Sequence, residues 1–221
     1  MNTAFWNCRG IKGSLVVRRP KGIKTTFSPD ILFLIETKNS DDVVRDVAAQ
    51  LGYDNVKCVT PLGIGGGLAL MWKNSISVCF YDVDARLVDC KISNKDVSFY
   101  FSCVYGHPIR KLRHVLWERL QRIALNRNEP WLMCGDFNEI LHPHEKRGGR
   151  VRENWSLVDF RNMVQICKVS DLPYKGNNMT WSGKRRTHIV ESWIDRAMAN
   201  DQWLTINGKL LIQHLKLNTW R

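Results

Sequence analysis

Residues 130–141 read PWLMCGDFNEIL. Trp131, Leu132, Met133 and Cys134 form a short continuous apolar run, the pattern of a buried strand. The run breaks at Gly135, and Asp136, Phe137 and Asn138 follow. On an extended chain, residues two apart face the same side and the residue between them faces the other. A strand built for the core therefore ends by offering a carboxylate and a carboxamide to one place.

The same ending recurs along the chain. The strand-like AFWNC carries Asn7, DILFLI runs into Glu36, and VSFYFSCVYG carries Tyr105. WIDRAMAN is expected to hold Asp195 inside a strand. Strand ends that lie side by side can bring such groups together, because the sheet fixes their positions. Hard oxygen donors of this kind suit Mg²⁺ or Mn²⁺. Taken singly, an Asp or Asn here is more simply a turn or cap residue, and Tyr105 a core residue.

Between the strands lie helical patterns. DDVVRDVAAQLGY predicts a helix capped by Asp41 or Asp42 and ended by Gly52, with Val43, Val44, Val47, Ala48 and Leu51 on its apolar face. KLRHVLWERLQRIAL predicts a second, with Leu112, Val115, Leu116, Leu120 and Ile123 on one side, and WSLVDFRNMVQICKV a third. Residues 14–27 are weakly helical and interrupted by Pro20. GGGLALMW, ISVCFYDVD and LVDCKI predict further strands, and NNMTWSG and KLLIQHLKL late ones. Runs of consecutive strands mixed with helices indicate a layered α/β domain with mixed sheets rather than a doubly wound parallel sheet. One domain over residues 1–221 is expected.

The chain carries 33 Lys and Arg against 21 Asp and Glu, a formal net charge of +12. Such an excess favours polyanionic partners, nucleic acid before an anionic membrane surface. Cysteine is present seven times, an odd count without C-x-x-C spacing, which argues for free thiols in a reducing compartment. No signal peptide or spanning run is evident. The expected location is intracellular and soluble; the nucleus is compatible, but KGIKTTF and KRRTH are too short and mixed for a clear import signal. PLGIGGGLALMW lacks the Lys-Ser/Thr of a phosphate-binding loop and leads into a strand, so it is taken as a turn or strand entry.

WNCRG at 6–10, PDILFLIETK at 29–38, GGLALMW at 66–72, VYGHP at 104–108, GDFNEI at 135–140, TW at 180–181 and IDR at 194–196 occur in that order. This series resembles the exonuclease–endonuclease–phosphatase superfamily, the group of deoxyribonuclease I-like and apurinic/apyrimidinic endonucleases. Its spelling is closest to the endonuclease domain of plant LINE-type (non-LTR) retrotransposon proteins, and EKRGG at 145–149 fits it too. The resemblance covers residues 4 to about 215. It implies a four-layer α/β sandwich, two mixed sheets packed face to face with helices outside. It also implies a Mg²⁺-dependent phosphodiesterase that nicks DNA and acts as a monomer. Glu36 would be the main metal ligand with Asn7 beside it. Asp136 would align and deprotonate the attacking water, Asn138 would hold water and phosphate, and Tyr105 would hydrogen-bond the phosphate. Asp195 would orient a His. The basic stretch around Lys184 and Arg185, near Trp181, would contact the DNA backbone and stack on a base.

The series departs from the family at its end. The closing S-D-H would follow LLIQHLKLNTWR, which puts its His just beyond Arg221. Poor turnover is therefore expected of this chain as given. His214 lies in the strand leading to that motif and is not expected to replace it; His142 and His144 are taken as loop residues, His107 is placed in a loop near the site, and His188 belongs to the basic GKRRTH stretch. Two alternatives stay open: an inactive, retrotransposon-derived DNA-binding relic, and a phosphatase acting on a small phosphate ester such as an inositol phosphate.

Overall fold

The apolar run after Pro29 becomes the most deeply buried strand of the N-terminal half. Thr3–Asn7 (β1) and Ile31–Ile35 (β2) pair in parallel, with Asn7 opposite Ile35. All five residues of β2 are buried, as a continuous apolar run requires of an inner strand. Helix α1, Asp41–Gln50, follows, and then Asn55–Val59 (β3) and Leu68–Trp72 (β4). β4 pairs antiparallel with both β2 and β3, so the sheet order is β1-β2-β4-β3 and the sheet is mixed. Ser77–Val83 (β5), Leu87–Ser93 (β6) and Ser98–Tyr105 (β7) form an antiparallel meander with a register shift between Phe80 and Asp82.

The structure is a computed structural model that describes residues 1–11, 27–63, 65–185, 188–206 and 212–214. The chain divides into two units, residues 1–105 and 106–221. The elements above belong to the first. The weak helix expected over residues 14–27, with its Pro20, falls outside the described residues but for Phe27.

In the second unit, helix α2, Arg113–Ala124, precedes Trp131–Asp136 (β8), which is buried throughout. Lys146–Arg147 (β9), helix α3 at Val158–Ile166, Val169–Asp171 (β10) and Tyr174–Lys175 (β11) follow. Trp181–Arg185 (β12) and His188–Ser192 (β13) form a hairpin, to which β9 adds a third strand. Asp195–Asn200 (β14) pairs antiparallel with both β8 and β10. Helix α4, Asp201–Ile206, and Ile212–Gln213 (β15), which pairs in parallel with β11, complete the unit. Its core is aromatic: Trp117 lies 4.8 Å from Phe160 and 6.2 Å from Phe137, and Phe137 lies 5.6 Å from Phe160, ring centre to ring centre.

Mixed sheets with helices are the α/β class expected from the sequence. Several local expectations need correction. Ser40, not Asp41 or Asp42, stands at the cap of α1, in extended conformation and without a side-chain cap bond; both Asp residues lie in the first turn, where they complement the helix dipole. Val43, Leu112 and Val115 follow the helical period but are exposed, while Trp117 joins Leu116 and Leu120 in the core. Asp195 opens its strand rather than sitting within it. His188, in the basic stretch, opens β13.

All seven cysteines are free, and five of them are buried. Burial pushes the Cys8 and Cys167 thiols up to about 12. Among the described residues no helix is long and apolar enough to cross a membrane.

Candidate active site

Each unit assembles one group of the residues singled out above. In the first, the parallel register of β1 and β2 sets Asn7 beside the residue that follows Ile35, Glu36. Glu36 Oε1 accepts hydrogen bonds from Tyr105 Oη at 2.9 Å and Asn7 Nδ2 at 3.3 Å. Its Oε2 meets Lys38 Nζ at 2.7 Å. Burial acts to raise the Glu36 carboxyl, but the bonds from Lys38, Asn7 and Tyr105 outweigh it and hold the group below the usual carboxylate range. Tyr105 is buried, and the Arg86 guanidinium lies 4.8 Å from its ring centre. Its hydroxyl is thus aimed at the carboxylate.

The Glu36 backbone has φ +56°, a region that a glutamate rarely adopts, and such strain collects at functional sites. The glycine-led stretch holds it there. Thr37 and Lys38 donate their backbone N–H groups to the carbonyls of Gly67 and Gly66. A Cβ on Gly67 would come within 2.2 Å of Thr37 Oγ1. The GGG run is therefore the bed on which the ETK turn lies, a role the sequence did not announce.

The donor chemistry fits a hard divalent cation. A carboxylate kept ionised and a carboxamide are the few oxygen ligands with which Mg²⁺ is usually held, the rest being water and substrate phosphate. Among the described residues no group of three or more His, Cys, Asp or Glu forms a complete protein cage. Lys38 already supplies positive charge to one oxygen of Glu36.

In the second unit, Phe137 is fully buried in the aromatic core and anchors the turn after β8. On either side of it, Asp136 Oδ1 accepts the Asn138 backbone N–H at 2.8 Å, and Asn138 Nδ2 donates to the Gly106 carbonyl at 2.8 Å. Asn138 has φ +53°, which asparagine tolerates better than most residues. Gly106 lies so close to this turn that a Cβ there would fall 1.9 Å from the Phe137 carbonyl oxygen. Gly106→Ala is therefore expected to cost about 1–3 kcal/mol, read as a drop of several degrees in thermal denaturation. An unchanged melting temperature would contradict that close approach.

Asp195 is the register partner of Asp136. Its backbone is held from the TW motif: Thr180 Oγ1 accepts the N–H groups of Ile194 at 3.2 Å and Asp195 at 3.0 Å. Trp181 is partly buried against Ile140, Leu157 and Ile194. Lys184 is exposed on β12, and the Arg185 backbone pairs with His188. His214 stacks on Tyr174, ring centres 4.9 Å apart, and its Nδ1 lies 2.9 Å from the Asn177 carbonyl oxygen; burial lowers its pKa. His142 and His144 are exposed and stacked on each other, and His107 Nδ1 accepts the Ile109 N–H.

The structure also brings in charged residues that the sequence did not single out. Glu139 and Glu145, buried on either side of the loop after Asn138, hold Arg113, Arg152 and Arg196. Their signal was a glutamate directly after Asn138 and another in EKRGG, charges in stretches otherwise bound for the core.

The family described as "Endonuclease/Exonuclease/phosphatase family" matches residues 4–215. No curated protein matches the chain in sequence. Among solved structures, the endonuclease domain of TRAS1, a telomere-specific non-LTR retrotransposon, superposes with a TM-score of 0.66 at 13% identity, covering 91% of this chain and 85% of that one. A 3′-5′ exonuclease from Neisseria meningitidis gives 0.65 at 19%, covering 90% and 87%. An AP endonuclease from Archaeoglobus fulgidus gives 0.63 at 18%, also covering 90% and 87%. At these identities the likeness shows the fold, the α/β sandwich expected from the sequence.

Proposed function

The chain belongs to the endonuclease/exonuclease/phosphatase family, and from that premise we propose that it is a metal-dependent phosphodiesterase that nicks DNA. The observation that carries this is the Glu36 group: a carboxylate on a strained turn, kept ionised by Asn7, Tyr105 and Lys38. The net charge of +12 supports a polyanionic substrate. That the two units act as one catalytic domain is part of this proposal.

Glu36 and Asn7 would hold Mg²⁺, or Mn²⁺ in its place. When bound, the metal supplies positive charge to the phosphate and the leaving oxygen. Asp136 takes the proton of the attacking water, and Asn138 orients that water and the scissile phosphate. Tyr105 donates its hydroxyl proton to Glu36 and positions that carboxylate; as a phosphate contact it acts only once substrate draws the hydroxyl away. Asp195 would orient the imidazole of a closing S-D-H motif, which is not among residues 1–221. Trp181, Lys184 and Arg185 contact the strand beyond the cleaved bond.

The test is nicking of supercoiled plasmid with and without Mg²⁺, by wild type and Glu36→Ala. Wild type is expected to nick only with the metal, and Glu36→Ala about 10²-fold more slowly, the scale of a few kcal/mol of lost charge stabilisation. Nicking that survives Glu36→Ala would sink the site assignment. Turnover of a soluble phosphomonoester but not of DNA would replace the substrate class. Retained DNA binding with no turnover by folded protein would favour an inactive relic.

A further inference from the structure

A cavity of about 450 Å³ opens beside Asn138, lined wholly by residues of the second unit. Arg113, Arg152, Lys146 and Arg150 stand in its walls together with Trp181, and Glu139 is the one carboxylate among its lining residues. Glu139 is only 4% exposed. Each of its oxygens takes a different guanidinium: Oε2 meets Arg113 Nη1 and Oε1 meets Arg152 Nη2, both at 2.9 Å. Arg113 is fixed further by donating from Nε to the His107 carbonyl at 2.8 Å and from Nη2 to the Pro108 carbonyl at 3.2 Å. Arg152 is fixed by Nε on Ser156 Oγ at 3.3 Å. Lys146 Nζ is spent on the carbonyls of Gly148 and Arg150, both at 2.7 Å, and closes the turn that carries Arg150.

A buried carboxylate needs one cation. Here it is shared by two, Arg113 also feels the Asp136 carboxylate, and Arg150 and Lys146 add further positive charge to the cavity wall. A guanidinium has five N–H donors in a fixed fork. Nη1 of Arg152 has no protein hydrogen-bond partner among the described residues. A preset, partly buried guanidinium with spare donors is the group that binds phosphate bidentately, and an aromatic face beside it is what a nucleobase stacks on.

We propose that this cavity is a second phosphate subsite, which takes the phosphodiester next to the one being cleaved on Arg152, with Glu139 and Arg113 as the brace and Trp181 against the adjoining base. The proposal rests on the DNA-hydrolysis reading and adds to it where the strand is gripped.

The test uses the full chain and a short duplex that it cuts. Each phosphate flanking the cleaved bond is replaced in turn by a neutral methylphosphonate. One replacement is expected to raise KM about tenfold, far more than it lowers kcat, as loss of uniform binding does. Arg152→Met is expected to raise KM on the native duplex by a similar factor, and to reduce the slope of log KM against log salt by about 1. On the duplex already lacking that charge, Arg152→Met should add no more than about twofold, since the two changes remove one contact. The subsite is overturned if Arg152→Met loses the same factor on both duplexes, or if no flanking methylphosphonate raises KM. Should Arg152→Met not fold, the methylphosphonate series on wild type decides alone. If wild type neither binds nor nicks the native duplex, the hydrolysis reading falls and takes the subsite with it; normal nicking with no KM effect removes the subsite alone.

Discussion

Asp136→Asn is expected to lower kcat for DNA nicking by about 10²–10⁴-fold, the range a positioned proton acceptor contributes. The substitution separates chemistry from architecture. Asp136 Oδ1 accepts the Asn138 N–H, and a carboxamide oxygen in the same place can accept it equally well. Phe137 stays buried against Trp117 and Phe160, so the turn keeps its anchor. The Asn138 side chain keeps its bond to the Gly106 carbonyl. What disappears is the negative charge and the capacity to take a proton. Thermal stability should therefore change by about 1–3 kcal/mol at most, the part lost being the buried charge that Arg113 feels. DNA affinity should hold or tighten slightly, because one negative charge near the phosphate is gone. Nicking within tenfold of wild type would remove Asp136 as the base. A loss of structure would mean that its charge, through its neighbour Arg113, belongs to the fold instead.

The part of this site legible in the sequence is the buried strand that leads to it. The apolar run of β8 follows from strand pattern, but the strand continues through Gly135 and ends at Asp136, and Phe137 and Asn138 lie in the turn beyond, where Asn138 has φ +53° and simple alternation no longer applies. The run of β2 leads in the same way to Glu36. That Asn7 meets Glu36 depends on β1 and β2 being parallel neighbours, a pairing across a long gap that local pattern does not carry. Helical period failed at the rims. Val43 and Val115 lie on the apolar side of their helices and Leu112 just before α2, but period says only which side residues share, not whether a neighbour reaches far enough to cover it. Lys38 was part of a recognised motif, yet its place on Glu36 follows from a backbone turn at positive φ that composition does not encode. The buried ion pairs were the least legible. Arg113 finds Glu139 across 26 residues and Arg196 finds Glu145 across 51, and no local rule sends an arginine to the core.

The second large effect follows from that last kind of contact. Arg196→Met is expected to destabilise the protein by about 3–5 kcal/mol, the scale of removing one partner from a buried ion pair. Arg196 is 1% exposed and lies between two carboxylates. Its Nη1 donates to Asp171 Oδ2 at 2.6 Å, its Nη2 pairs with Glu145 Oε2, and its guanidinium stacks 4.1 Å from the centre of the Trp193 ring. Glu145 Oε2 also accepts the Leu141 N–H, tying the loop after Asn138 to β14. Methionine approximates the length of the arginine stem, so the loss is of charge rather than of packing. Burial already raises the Asp171 carboxyl above its ordinary value, although Arg196 opposes it and Glu145 adds to it. Without Arg196 the Asp171 carboxyl should rise further. A carboxyl whose folded pKa lies above its unfolded one favours folding only while protonated, and that help is lost as pH rises from the unfolded value through the folded one. The deficit of Arg196→Met should therefore be larger at pH 8 than at pH 5, as measured by urea denaturation at both. Adding Glu145→Gln to Arg196→Met should recover part of the loss at pH 8, because the orphaned charge is then gone while an oxygen remains for the Leu141 N–H. A deficit below about 1 kcal/mol, or one that does not change between the two pH values, would mean that the guanidinium is not the counter-charge of this buried pair.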